Sequence, residues 1–170
     1  ELIIVKESYK RCAYKQGFDN KFFYSFYQKF IKKCPHAREK FSNFDSTQNL
    51  EESKYWNRQH QLLKQAVLLL FVYFEEDKQF SSNYYKQEEP NILSRIAEIH
   101  SCTRKNIPTN MYQLFIDALI ETAIEFDDWC KSGDPELNRE RIRLLKKNWY
   151  KVLKPGTDYM KSKYDENQNT

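Results

Sequence analysis

The chain has 170 residues, with 28 Lys+Arg, 24 Asp+Glu, 12 Tyr, 12 Phe and 3 Trp, but only 3 Gly and 5 Pro. So few turn-forming residues exclude a β-sandwich, a β-barrel and any collagenous or low-complexity chain. Aromatic residues at 16% argue against disorder despite a mean hydropathy of -0.87.

The net charge of +4 is scattered among acids, which makes no nucleic-acid footprint. The longest apolar run, Ala66 to Phe74, is far shorter than the roughly 20 residues that span a bilayer. No charged start with an apolar stretch and a small-residue cleavage site is present. Cys12, Cys34, Cys102 and Cys130 lie far apart, which excludes a C-x-x-C metal finger and fits a reducing cytoplasm; a disulfide stays open. The length predicts one domain over 1–170, with a polar tail at about 165–170.

In chain order, Gly17 ends a first segment and Asp19 caps a second. Phe22, Phe23, Phe26, Tyr27, Phe30 and Ile31 recur at helical spacing up to Lys33. Pro35 starts a short element marked by Phe41, and the polar stretch Ser42 to Glu52 reads as a loop. A long helix is predicted from Ser53 to Lys78, with Trp56, Gln59, Leu63, Ala66, Val67 and Leu70 facing inward. Its stretch Ala66 to Phe74 is apolar all round and is expected deepest in the core. After a loop from Gln79 to Glu89, Pro90 opens a helix carrying Ile92, Leu93, Ile96, Ala97, Ile99 and His100. Another helix is expected from Pro108 to Cys130, striped by Tyr112, Phe115, Ile116, Leu119, Ile120, Ala123 and Phe126. Asp134 and Pro135 then start a last helix, which Pro155-Gly156 should kink or break before Tyr159. The pattern is all-α.

No Gly-rich phosphate loop, nucleophile elbow, metalloprotease His pair or pair of Glu-x-x-His motifs is present. Most carboxylates sit on polar faces and read as solvated surface. Of the three His, His36 is expected exposed and His60 to border the buried face. His100 shares an apolar helical face with Ile96 and Ile92. A neutral imidazole there is either a metal ligand or a satisfied core histidine. A cation near a helix C-terminus is a third reading.

The order Phe26-Tyr27, Pro35, Phe41, Arg58-Gln59, Leu63, His100, Ile107 and Tyr112 resembles the globin family. So does I-A-x-I-H before I-P, then L-F-x-x-A-L-I-E-T-A-I-E-F-D, then Trp149 with L-K-P-G-x-x-Y-M. The likeness runs from about Asp19 to Tyr164 and is greatest to the single-domain bacterial haem globins. It implies a globin fold of six to eight helices around a haem b pocket.

Carried over residue by residue, the resemblance makes His100 the axial iron ligand and Phe41 the ring that lies on the haem. Tyr27 matches the distal tyrosine, Gln59 the distal polar residue and Leu63 the apolar wall. His60 is the rival distal residue, but choosing it would put Lys64 at the wall. Ile96, Ile107, Tyr112 and Phe115 are further expected pocket walls. A phenol and an amide could both donate to the partial negative charge of bound dioxygen.

The chain also departs from the family. Ser42 to Tyr55 is long, and the His100 to Tyr112 connection is about two residues longer than in flavohaemoglobins. Tyr164 stands where those enzymes carry a glutamate near the proximal histidine, with Glu166 nearby. The resemblance implies reversible binding of dioxygen, CO and NO. Alternatives are a haem-based gas sensor or interaction module acting on a partner protein. Another is a redox enzyme (NO dioxygenase-like, nitrite-reducing or peroxidase-like) served by an external reductase. The last two helices carry enough apolar positions for a homodimer, although the same residues could instead complete the monomer core.

Overall fold

The computed structural model describes residues 1–15, 19–41, 54–80, 91–102 and 107–168. Every regular element among them is helical: α1 (Leu2–Ala13), α2 (Asp19–Lys33), a 3₁₀ turn (Pro35–Lys40), α3 (Lys54–Phe80), α4 (Ser94–Ser101), α5 (Asn110–Phe126), a second 3₁₀ turn (Asp128–Cys130) and α6 (Pro135–Gln168). Gly17, Pro90, the 42–53 stretch, most of the expected 79–89 loop and the 103–106 connection lie outside the described residues.

Helix α6 is the common support. Helices α1, α3, α4 and α5 all pack on it, while α2 packs chiefly on α5. Leu145, Trp149, Val152, Leu153 and Met160 of α6 are buried within the chain, so these apolar residues complete the monomer core. The aromatic excess builds much of that core through edge-to-face contacts. Tyr9 meets Phe71 at 5.5 Å and Trp149 at 6.1 Å between ring centroids. The polar tips find partners: the Tyr9 hydroxyl donates to the Lys64 carbonyl (3.1 Å) and Trp149 Nε1–H to Ser8 Oγ (3.2 Å).

Several expectations change. The helix expected over Pro108 to Cys130 ends at Phe126, because the Asp127 side chain turns back to accept the Trp129 backbone N–H (3.1 Å). Asp127 is fully buried, an exception to the solvated carboxylates, and is clasped by Arg11 Nε (2.7 Å) and a second guanidinium nitrogen (2.9 Å). Helix α4 starts at Ser94, not Pro90. The Asn91 side chain accepts the Leu93 N–H (2.9 Å) and its carbonyl the Ser94 N–H (3.0 Å), which makes a turn before the helix. Ile92 falls in that turn, 39% exposed, and does not share the α4 face of His100. Within α3, Leu68 is 39% exposed, so the apolar run is buried on one side rather than all round.

Asp134 caps α6 as expected, its carboxylate accepting the N–H groups of Glu136 (2.9 Å) and Leu137 (3.3 Å). Helix α6 then runs through Pro155 without a break and continues to Gln168, past the start of the expected frayed tail. Proline removes one helical hydrogen bond, but Val152, Leu153, Gly156, Thr157 and Met160 on both sides of it are buried, and that packing holds the helix together. All four cysteines are unpaired; Cys12, Cys34 and Cys130 are buried and Cys102 is exposed. Among the described residues no helix is long and apolar enough to cross a membrane.

Gly156 marks the tightest approach. A Cβ there would stand 2.5 Å from Leu70 Cδ2 of α3 and 2.9 Å from Leu93 Cδ1, just before α4. Both leucines are buried and have little room to withdraw. Gly156→Val should therefore lose about 1–3 kcal/mol of stability, measured by urea unfolding, although valine is the better helix former.

Candidate functional site

Helices α3 and α4 each take their main packing from α6 rather than from one another. The residues singled out in the sequence divide between two neighbourhoods, one centred on α4 and one on the seam of α2 with α3.

On α4 the buried positions are Ala97 and Ser101, while Ile96 and His100 lie half-buried beside them. His100 Nδ1 sits 2.8 Å from the Ile96 carbonyl oxygen, one helical turn back. A carbonyl only accepts, so Nδ1 carries the hydrogen, and in the neutral ring the lone pair belongs to Nε2. The Ile107 N–H donates to the His100 carbonyl (2.9 Å), which ties the following segment to the end of α4. Ala97, Tyr112 and Met160 form a small buried cluster, with Ile96, Ile107 and Tyr159 packed on it. Three of the expected pocket residues, Ile96, Ile107 and Tyr112, are thus brought together. The Tyr112 hydroxyl is buried without a hydrogen-bond partner, and burial raises its phenol above the ordinary range. Glu166 is paired with Lys163 at 2.7 Å on the surface.

On the other side, Tyr27 of α2 is buried among rings. Its centroid lies 5.1 Å from Trp56, 5.6 Å from Phe41 and 5.6 Å from His60. Its hydroxyl donates to the backbone carbonyl of Gln59 at 3.3 Å, long for an O–H···O bond. The Gln59 side chain is half-buried, whereas the neighbouring His60 is 1% exposed. His60 is stacked on Tyr27 (21° between planes) and on Phe23 (29°, 6.2 Å), and neither of its ring nitrogens has a partner. Burial alone lowers its pKa to about 4, so the ring is neutral at pH 7. Lys64 does not enter this seam; its ammonium lies 4.0 Å over the ring of Tyr14, just after α1.

The buried stripe of α3 is Trp56, His60, Leu63, Val67, Leu70 and Phe74, at alternating steps of four and three. Gln59 and Ala66, expected to face inward, flank it half-buried. Spacing alone did not separate the two, since Gln59 lies three residues after Trp56 and four before Leu63, while His60 lies four after and three before. Leu63 is buried as expected. Phe115 packs against Phe26 (5.4 Å) and Phe30 (6.2 Å), so it lines the α2–α5 seam. Two residues outside the expected pocket, Trp56 (expected only to face inward) and Tyr55, join the Tyr27 neighbourhood. Trp56 bridges Tyr27 and Phe41, and Tyr55, half-buried with an unpartnered hydroxyl, is close enough to help raise the Tyr27 phenol.

The neutral His60 makes stability depend on pH. Its folded pKa of about 4 lies below the ordinary value of 6.5 for the unfolded chain, so unfolding takes up a proton between them. The contribution is intact above pH 6.5 and is lost as pH falls towards 4, on the order of 3 kcal/mol in all. His60→Phe keeps an aromatic ring and should flatten that acid limb in thermal unfolding followed from pH 7.5 to 4.5.

No family model and no curated protein matches the chain. Among solved structures it is similar to a crystal structure of a Pseudomonas aeruginosa PAO1 protein described as structurally highly homologous to a human hemoglobin. The likeness has a TM-score of 0.65 and 24% identity, and covers 96% of this chain and 97% of the other. The fold of this chain is therefore an all-α, globin-like fold.

Proposed function

We propose that the protein binds haem b through His100 and reversibly binds dioxygen, CO or NO. The observation that carries this reading is the anchored His100 ring, whose Nδ1–H is committed to the Ile96 carbonyl at 2.8 Å. That bond fixes the tautomer that keeps a lone pair on Nε2, which is how a second shell prepares a histidine ligand. Among the described residues no group of three or more His, Cys, Asp or Glu could hold a metal ion. A single histidine suits a metal that brings its other donors with it, as a porphyrin does.

The surroundings fit such a group. Buried polar atoms without partners (the Tyr112 and Tyr55 hydroxyls and the His60 nitrogens) flank the two neighbourhoods, within walls of Phe41, Trp56, Leu63, Ile96 and Ile107. Haem, when bound, would supply a ferrous iron with one open coordination position. Phe41, Ile96, Ile107 and Tyr112 would hold the ring and exclude water, with Phe115 more remote. Tyr27 would turn its O–H from the long bond with the Gln59 carbonyl towards a diatomic ligand carrying partial negative charge. Gln59 could add an amide donor, and Leu63 would close the apolar side. The partner of His100 Nδ1 is a neutral carbonyl, and Glu166 is engaged by Lys163. A neutral partner puts less electron density on the imidazole than a carboxylate would, which favours ligand binding over O–O cleavage.

Haem added to the purified protein should give a Soret band that shifts with CO, and His100→Ala should lose that spectrum. Equal spectra from both proteins would remove His100 as the ligand. Stopped-flow dioxygen release from Tyr27→Phe should be about two- to tenfold faster than from wild type, the loss of one net hydrogen bond. An unchanged rate would take Tyr27 out of the ligand site.

A further inference from the structure

The buried imidazole of His60 has no ligand-binding role in the function just proposed, yet it stacks on Tyr27, the proposed donor to the bound ligand. We propose that His60, stacked against both Phe23 and Tyr27, is a positioning residue for the Tyr27 phenol, and that protonation of His60 releases that phenol. This rests on the haem reading for its consequence but not for its geometry.

Phe23 and Tyr27 are one turn apart on α2, and the His60 ring of α3 lies nearly parallel to both, at 6.2 and 5.6 Å. On its other sides Tyr27 is bordered by Trp56 (5.1 Å), Phe26 (5.1 Å) and Phe41 (5.6 Å). The His60 ring therefore closes one wall of a slot that fixes the direction of the phenol. Its own two nitrogens have no partner, so hydrogen bonding does not hold His60 in place; stacking and burial do. A protonated ring would carry two N–H donors and a charge in a seam with no acceptor for either, which is unstable.

The titratable neighbours do not rescue that charge. From α2 the group in contact is Tyr27 itself, whose phenol burial keeps neutral. Tyr55 on α3 is likewise raised and neutral. From α1 and the residue after it, Tyr9 donates to the Lys64 carbonyl and Tyr14 receives the Lys64 ammonium. Lys54 and Arg58 of α3 are exposed, and Lys29 and Lys33 of α2 pair with Glu125 and Glu121 of α5. No acid or base contributes to the low pKa of about 4. A charged His60 must reach water, and leaving the stack removes a wall of the Tyr27 slot.

The experiment uses the protein as purified, before and after haem addition. Its three imidazoles, His36, His60 and His100, give ring signals assigned with His36→Gln and His100→Gln, which leaves His60 by elimination. In the haem-free protein the His60 signal should titrate near pH 4, and the Tyr27 ring signal should move with it. In the haem-loaded protein, dioxygen release should be roughly twofold faster at pH 5 than at pH 7 and rise further below, taking a tenfold faster release from the protonated state. His60→Phe should release dioxygen at a pH-independent rate over the same range. A Tyr27 signal that ignores the His60 titration overturns the proposal, as does an acid limb that survives in His60→Phe. Failure to bind haem would sink the functional reading alone, since the linked ring titration still decides the positioning role.

Discussion

A hydrogen in place of a methyl group at Gly156 decides how close two helices can come to α6. Leu70 of α3 and Leu93 at the start of α4 converge on that one point, where a Cβ would stand 2.5 and 2.9 Å from their methyls. Both helices are thus seated on the same spot of α6, and the α4 neighbourhood of His100 and the α3 neighbourhood of His60 and Tyr27 lie along them. Pro155 is tolerated beside it because the flanking residues are buried, and a lost backbone hydrogen bond of about 1 kcal/mol is small against several buried side chains.

The two sides differ in how their polar groups are restrained. His100 Nδ1 is held by a hydrogen bond to the Ile96 carbonyl of its own helix. Tyr27 is fixed by aromatic walls and a long bond to the Gln59 carbonyl, which leaves its hydroxyl ready for a better acceptor.

Charge serves the scaffold at its edges and in one interior position. Lys33 with Glu121 links α2 to α5, and Glu1 takes both Lys78 of α3 and Lys151 of α6. Such exposed pairs each contribute little. Arg11 with Asp127 is different, because the carboxylate is wholly buried while the guanidinium is partly exposed. That pair joins α1 to the corner after α5, and the same carboxylate ends α5 by taking the Trp129 N–H. Arg141 completes the corner by donating to the Trp129 carbonyl and lying over its ring.

Composition and periodicity determined that the chain is all-α. The scarcity of Gly and Pro removes turns, and rings at helical spacing mark the inner faces of α2, α3 and α5. The Asp134 cap was also legible, because a cap is local chemistry. The placement of His100 near Ile96 followed from a four-residue spacing. Tertiary structure decided the rest. Gln59 and His60 are adjacent and both polar, so sequence could not say which lies against α2; the stacking of Phe23 and Tyr27 on the imidazole did. Pro155 reads as a breaker, and only packing on α3 and α4 explains an unbroken α6. Asp127 reads as surface until Arg11, 116 residues away in the chain, is brought beside it. Local rules fix what a segment prefers, while contacts between distant segments settle which of two adjacent side chains is buried and which helix survives its proline.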